Sequence, residues 1–148
     1  MDEKIIFAFA VTHQNNFGNK HFGDADKYLI YEVTQNEVKF VEEKLNLTKN
    51  IDETAKPEHG SQKKGKAVIK FMKERGVKVL VAKKFGENIK MVNKCFIPVI
   101  IAKENPDDVS DILLKHLKWF KDELINKPEE YKLFIIKNGI LKTAIKKD

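Results

Sequence analysis

The sequence is poor in two residue types that mark particular classes of protein. Its 148 residues include a single cysteine, Cys95, which excludes an internal disulfide and any all-cysteine metal site. Arginine occurs once, at Arg75, although Lys and Arg together number 28. Because bidentate recognition of phosphates and guanine edges favours arginine, this composition argues against nucleic-acid binding despite a net charge of +6.

Long apolar runs are also missing. No run approaches the roughly 18–20 residues that span a bilayer, so we expect no membrane partner. The opening stretch MDEKIIFAFAVT has acids before its apolar run and no small-residue cleavage site, which is typical of a buried strand rather than a signal peptide. Together with the single cysteine, this favours a cytoplasmic protein.

Motifs of common catalytic sites are absent too. The sequence contains no Gly-x-Ser-x-Gly elbow, no Walker loop and no His-Glu-x-x-His pair. Cys95 has no histidine nearby in sequence that could activate it as a nucleophile. We therefore expect a binding protein and not an enzyme.

The apolar pattern that is present predicts one mixed α/β fold. Strands are predicted at Lys4–Thr12, Asp26–Val33, Glu37–Glu43, Val77–Ala82 and Phe96–Ala102. Helices are predicted at Ser61–Arg75, at Glu87–Lys94, and from Pro106 along an apolar stripe that reaches Leu124. In the tail, Asn138-Gly139 predicts a hairpin, either as a separate appendage or as strands added to the sheet edge.

The order of these elements restricts the topology. Right-handed crossovers predict a mixed five-stranded sheet of order 3-2-1-4-5 with strand 2 antiparallel, followed by the C-terminal helix and β-hairpin. Strands one, three and four then point the same way. The loops that leave them, residues 12–26, 45–60 and 83–86, share one edge, and ligands of open α/β sheets bind at such an edge.

Three of the four histidines fall in these loops. His13 and His21 lie in the first loop and His59 in the second, directly before Gly60 and Ser61 at the start of a predicted helix. The free N–H groups of a helix start attract anions. The edge is therefore suited to an anionic or metal-containing ligand, although the histidines could also fall there by chance.

The remaining histidine and the cysteine have structural interpretations. His116 lies beside the apolar stripe of the last helix, so we expect an edge-of-core or surface residue. Cys95 precedes strand five and should lie at the opposite edge of the sheet, as a small buried hydrophobic residue.

Two blocks of sequence resemble a known family. His21-Phe22-Gly23, then an acid, an alanine and Tyr28–Val33, is similar to the HFG-x-A…F-x-I-Y-E-V signature of the dinitrogenase iron–molybdenum cofactor biosynthesis family. A second block is similar from His59 to Val81, and Phe85–Asn88 stands where the family has a Gly-Pro turn. The resemblance covers Lys4 to Lys103. It predicts a family-like domain at residues 1–103 and, at 104–148, a helix and hairpin packed on the same domain.

The resemblance implies a three-layer ribonuclease-H-like fold and a role as carrier or scaffold for an iron–sulfur or iron–molybdenum cluster or its precursor. Cluster donor and acceptor proteins would then be the partners. Histidine nitrogen is a good ligand for iron, which makes His21 and His59 the candidate metal ligands. The full set of candidate cofactor-binding residues is His21, His13, His59, Phe22, Gly23, Gly60 and Ser61.

Two other classes of protein are alternatives to the cluster carrier. A nuclease of this fold type would place an aspartate on the first strand for metal-assisted phosphoryl chemistry, and Lys4–Thr12 has none. A small module that binds an anion, a metabolite or a protein, with no cluster, fits the same residues and stays open. In that module the hairpin could recruit a partner strand. Whatever the function, the hairpin could also join two copies of the chain in a homo-oligomer.

Overall fold

The computed structural model describes residues 4–46, 60–85, 89–126 and 129–143. The strands are β1 (Ile5–Val11), β2 (Lys27–Val33), β3 (Val38–Leu45), β4 (Val77–Ala82), β5 (Ile97–Ile101), β6 (Phe134–Lys137) and β7 (Ile140–Thr143). The helices are α1 (Gly60–Glu74), α2 (Ile89–Val92), α3 (Pro106–Lys115) and α4 (Leu117–Asn126), with a 3-10 turn at Phe22–Asp24. None of these described helices combines the length and apolarity that crossing a bilayer requires.

All of these strands form one sheet, in the order β3-β2-β1-β4-β5-β6-β7. β2 is antiparallel to both β1 and β3, whereas β4 is parallel to β1 and β5 is parallel to β4. The predicted order of the first five strands and the antiparallel strand 2 are therefore confirmed. β1, β3 and β4 point in the same direction, as the sequence predicts.

Within the described residues the sheet has seven strands and not the predicted five, because the C-terminal hairpin continues it; of the two alternatives predicted for the hairpin, addition to the sheet edge is confirmed. β6 pairs in parallel with β5, and β7 returns antiparallel to β6. Phe134, Ile136 and Leu141 from the hairpin are buried in the core. The apolar side chains of β6 need a covered face and the open edge of β5 offers backbone partners, so strand addition satisfies both needs.

The predicted helix from Pro106 to Leu124 is two helices, which is a second correction. α3 ends at Lys115, because the next residue, His116, has a φ of −112° and a ψ of 24° that leave the helical region, and α4 starts at Leu117. Leu113 before the break and Leu117 after it both stay buried. The His116 ring packs on Trp119 at 4.7 Å between ring centroids, which agrees with the predicted edge-of-core position.

Helices cover both faces of the sheet and form two cores. On one face, β1 directs Phe7 and Phe9 toward α3 and α4, where Phe7 meets Phe120 edge-on at 5.5 Å. On the other face the small Ala8 and Ala10 leave room for side chains from α1, α2 and the loop after β1. Each large apolar side chain buried in this way stabilises the fold by about 1.5–3 kcal/mol.

Candidate functional site

The ends of the parallel strands define one edge of the molecule, which we call the carboxyl rim. β1, β3 and β4 finish there at Val11, Leu45 and Ala82. The loop 12–26 leaves β1 at this rim and returns into β2. It crosses from one face of the sheet to the other, because Phe17 is buried in the α3/α4 core and Phe22 in the α1/α2 core.

The part of this loop that carries His21 is a short 3-10 turn, which we call the HFG turn (His21–Asp24). The Asp24 N–H donates to the His21 carbonyl at 2.9 Å, and the Phe22 N–H donates to the Lys84 carbonyl at 2.8 Å. His21 also forms an isolated parallel bridge with Lys84, just past the end of β4. The turn is therefore attached to the sheet by backbone hydrogen bonds.

Buried side chains of the α1/α2 core contact the HFG turn. The Phe22 ring packs on Tyr28 at 4.9 Å and stacks on Phe85 at 5.6 Å between centroids. The Tyr28 hydroxyl donates to the Phe22 carbonyl at 2.7 Å. Burial, and secondarily the charge of Asp24, raises the pKa of Tyr28, so the phenol stays protonated and keeps donating.

Asn46 supplies a second support that the sequence pattern did not reveal. Its buried Nδ2 donates to the Gly23 carbonyl at 2.9 Å and to the Ala25 carbonyl at 2.8 Å. The pairing of Lys27 with Leu45 at the end of β3 places Asn46 beside the turn. No local motif encodes such a contact across 23 residues, so only the strand register could have predicted it.

His13 lies near the start of the same loop, beside β2. Its backbone N–H donates to Asp26 Oδ2 at 3.2 Å, and its Nε2 is 3.9 Å from that oxygen. Lys20 Nζ approaches Asp26 Oδ1 at 3.7 Å. Asp26 thus closes the loop, as expected of a turn-forming acid, while the side chains of both His13 and His21 stay exposed.

The remaining candidate residues belong to the segment that leads into α1. His59 lies outside the described residues, so its place at the rim stays a prediction. Gly60 and Ser61 form the first turn of α1. The HFG turn lies alongside this helix, since a Cβ added at Gly23 would meet Val68 Cγ2 at 3.9 Å.

The structure brings His13, His21, Phe22 and Gly23 to the carboxyl rim on one loop. Cys95 is half-buried and follows α2 at the start of β5, at the opposite edge. Within the described ranges, no three His, Cys, Asp or Glu side chains are grouped so that they could hold a metal ion.

These features define a mixed α/β protein. Its candidate site is a histidine-bearing turn at the carboxyl rim, with a backbone that is fixed by hydrogen bonds. The family model for the dinitrogenase iron-molybdenum cofactor matches residues 3–118, and the chain belongs to that family. Membership associates it with the biosynthesis or binding of this cofactor. The match extends beyond Lys103, where the resemblance in sequence was expected to end, and it includes α3. The β6–β7 hairpin lies outside the match. No curated protein matches the chain.

Proposed function

We propose that this protein is a non-catalytic carrier or scaffold for an iron–sulfur or iron–molybdenum cluster, or for a cluster precursor. The cluster is cargo that other proteins deliver and accept. The observation that carries the proposal is the contrast within the HFG turn. Its backbone is held by Lys84, Tyr28 and Asn46, while the His21 side chain is exposed.

The chemistry of the donors supports such cargo. Irons already bridged by sulfide need few bonds from protein, and imidazole nitrogen is a suitable ligand for iron. His21 would supply one bond, with His13 on the same loop or His59 as a second donor. Lys84 is exposed on the rim and would offset the negative charge of a cluster, whereas the charge of Lys20 is already balanced by Asp26.

Attachment through one or two histidines suits transfer better than storage. A set of thiolates would hold a cluster tightly, whereas a few imidazoles allow a partner with stronger ligands to take it. The proposal therefore includes cluster donor and acceptor proteins as partners and a cytoplasmic location. It also includes the ribonuclease-H-like classification of the fold that the family resemblance implies.

Anaerobic reconstitution with iron and sulfide tests this function. We expect visible absorbance and bound iron in the natural protein, and a loss of at least half of that iron in His21→Ala. His116→Ala is the matched control, because His116 caps the far end of α3 and packs on Trp119. Absence of bound iron in the natural protein, or equal iron in His21→Ala, would overturn the proposal.

A cavity under the same loop favours a second candidate, a module that binds a small anion or metabolite with no cluster. The cavity measures about 160 Å³, and its polar lining consists of Thr12, Asn19, Lys20 and Asp26, so a metabolite that also carries hydrogen-bond donors would suit it better than a simple anion. A thermal-shift panel of anions and metals distinguishes the two functions. Stabilisation by an anion together with failure to bind iron would favour the module over the carrier.

A further inference from the structure

Among the described residues, the helical layer formed by α3 and α4 leaves part of its sheet face uncovered. The core on this face includes Leu29 and Val33 of β2, whereas Tyr31 and Val38 are only partly buried and Phe40 on β3 is exposed. A groove of about 630 Å³ opens there, between the β2–β3 surface and the start of α3. It is on the opposite sheet face from Phe22, so it is separate from the support of the HFG turn.

The floor of this groove is aromatic. The Tyr31 ring packs on Phe9 at 4.8 Å and meets Phe40 nearly edge-on at 5.6 Å between centroids. Tyr31 is partly buried, while Phe40 is 53% exposed. Exposed aromatic faces attract the ammonium of lysine and the guanidinium of arginine.

The walls of the groove carry carboxylates. Asp107 stands in the first turn of α3 and makes no ion pair in the described part of the chain. Burial and then the charge of Asp107 raise the pKa of Tyr31, which agrees with a carboxylate close to that ring. Across the groove, Glu43 is half-exposed, but the buried Lys27 balances its charge at 2.7 Å, so Asp107 supplies the net negative charge among the residues that line the groove. The groove thus combines an aromatic floor with negative charge, the chemistry that recognises an organic cation.

The groove lies beside β3, which is an edge strand of the sheet that the described residues form. β3 stands at the end of the strand order, and in the described ranges it pairs with β2 alone. Phe40, Val41 and Leu45 on this strand are large apolar residues that stay exposed. An edge strand with unpaired backbone groups accepts an extended peptide as an additional strand.

We propose that β3 and this groove bind an extended, basic segment of a partner protein. The segment adds to the sheet beside β3 and places a lysine or arginine side chain over Phe40 and Tyr31, next to Asp107. Backbone pairing with β3 supplies affinity, and the acidic, aromatic groove selects the basic side chain. Because the chain as a whole carries +6, such a segment finds favourable charge only at a local site of this kind.

The direct test is a titration of ¹⁵N-labelled protein with a capped nine-residue peptide that alternates valine and arginine. A peptide with glutamate in place of arginine is the matched probe, and free spermidine is the third. We expect the arginine peptide to shift the amide signals of residues 38–45, of Asn105 and of residues 107–109, and the glutamate peptide to bind at least tenfold more weakly.

Point variants locate the contacts. Phe40→Leu keeps an apolar side chain but removes the aromatic face, and Asp107→Asn removes one wall charge. Each should weaken the arginine peptide about threefold to tenfold, the effect of losing one cation–π or partly screened charge contact. Asp122→Asn is the control, since it makes the same charge change at an exposed position of α4 outside the groove. His21→Ala should bind the peptide normally, which separates this proposal from the cluster carrier.

Three results would overturn the inference. Equal binding of the glutamate peptide would show that charge does not select the segment. Shifts confined to β7 would place strand addition at the other edge. Saturation of the same amides by spermidine, with no binding of the peptide, would identify a site for small cations instead.

Discussion

At the scale of single residues, the HFG turn depends on an amide 23 positions away in sequence. Asn46 donates two hydrogen bonds to carbonyls of the loop, and its side chain is buried. Removing a buried donor leaves its acceptors without a partner. The loss of stability is then larger than the net contribution of an average hydrogen bond to the free energy of unfolding. The position of His21 therefore relies on a residue that has no ligand chemistry of its own.

Asn46→Ala should lower the free energy of unfolding by about 1–3 kcal/mol, because the Gly23 and Ala25 carbonyls lose their donor. Amide exchange at Asp24 should speed up relative to the core strands. Chemical denaturation and hydrogen exchange measure these two effects. Asn36→Ala, at an exposed position in the β2–β3 turn, should change stability by less than about 0.5 kcal/mol. Equal losses in the two variants would contradict this account of the turn.

Gly23 presents a different case, because the fold itself does not require a glycine there. Its φ is not positive, and a Cβ would meet Val68 Cγ2 at an ordinary contact distance of 3.9 Å. Gly23→Ala should therefore fold with a melting temperature within about 3 °C of the natural protein, which corresponds to a change in stability of about 1 kcal/mol or less. Gly76→Ala, at φ 72°, is the comparison and should be clearly destabilised. A Gly23→Ala protein that fails to fold would contradict the conclusion that the fold tolerates a side chain here. A variant that folds but binds less iron would indicate that the glycine is needed for binding the ligand.

At the scale of elements, the β6–β7 hairpin is tied to the rest of the rim by one carboxylate. Glu104, between β5 and α3, accepts the Gly139 N–H at 2.7 Å and the Lys103 N–H at 3.1 Å. Burial would raise the pKa of Glu104, but these and further backbone hydrogen bonds outweigh it, so the pKa lies below its usual range. The Asn138-Gly139 turn, with φ of 54° and 75°, brings that N–H to the carboxylate.

The lowered pKa predicts a pH dependence for hairpin docking. The ionised carboxylate is favoured in the folded state, so its contribution is complete above about pH 4.3, the ordinary value for glutamate. It is lost as the pH falls from there through the lowered pKa. The protection of the Gly139 amide against hydrogen exchange should therefore decrease below that pH, beyond the change in the intrinsic exchange rate.

Glu104→Gln should remove this pH dependence and destabilise docking by about 1 kcal/mol, since a neutral acceptor replaces a charge-assisted one at a partly exposed site. Glu129→Gln, at an exposed position before β6, is the control and should keep the natural pH profile. If Glu104→Gln and the natural protein showed the same pH dependence of Gly139 exchange, Glu104 would not be the group that controls docking of the hairpin.

At the scale of the whole molecule, the hairpin is part of the α3/α4 core although it lies beyond the family match. Phe134 stacks on Phe120 at 4.7 Å between centroids and is 2% exposed. Phe134→Ala should lower the free energy of unfolding by about 3–5 kcal/mol by opening a cavity. Ile140→Ala, at a side chain 61% exposed on β7, should cost less than about 1 kcal/mol. Urea denaturation compares them, and similar small losses would mean that the hairpin folds independently of the core.

Sequence patterning is sufficient for much of this architecture. Alternation and apolar runs placed the first five strands, the crossover rule ordered them, and Asn138-Gly139 marked the hairpin turn through its tolerance of positive φ. Shared strand direction then placed the loop of His13 and His21 at the carboxyl rim. These features follow from local conformational preference and chain chirality, which neighbouring residues are enough to specify.

Tertiary packing settled the rest. Whether the hairpin stood apart or joined β5 depended on an open strand edge and a covered face, and the break at His116 appeared only once the helices were packed on the sheet. The support of the HFG turn by Asn46 and Lys84 depended on strand register. Such contacts join residues far apart along the chain, and their free energy exists only where the fold has already brought both partners together.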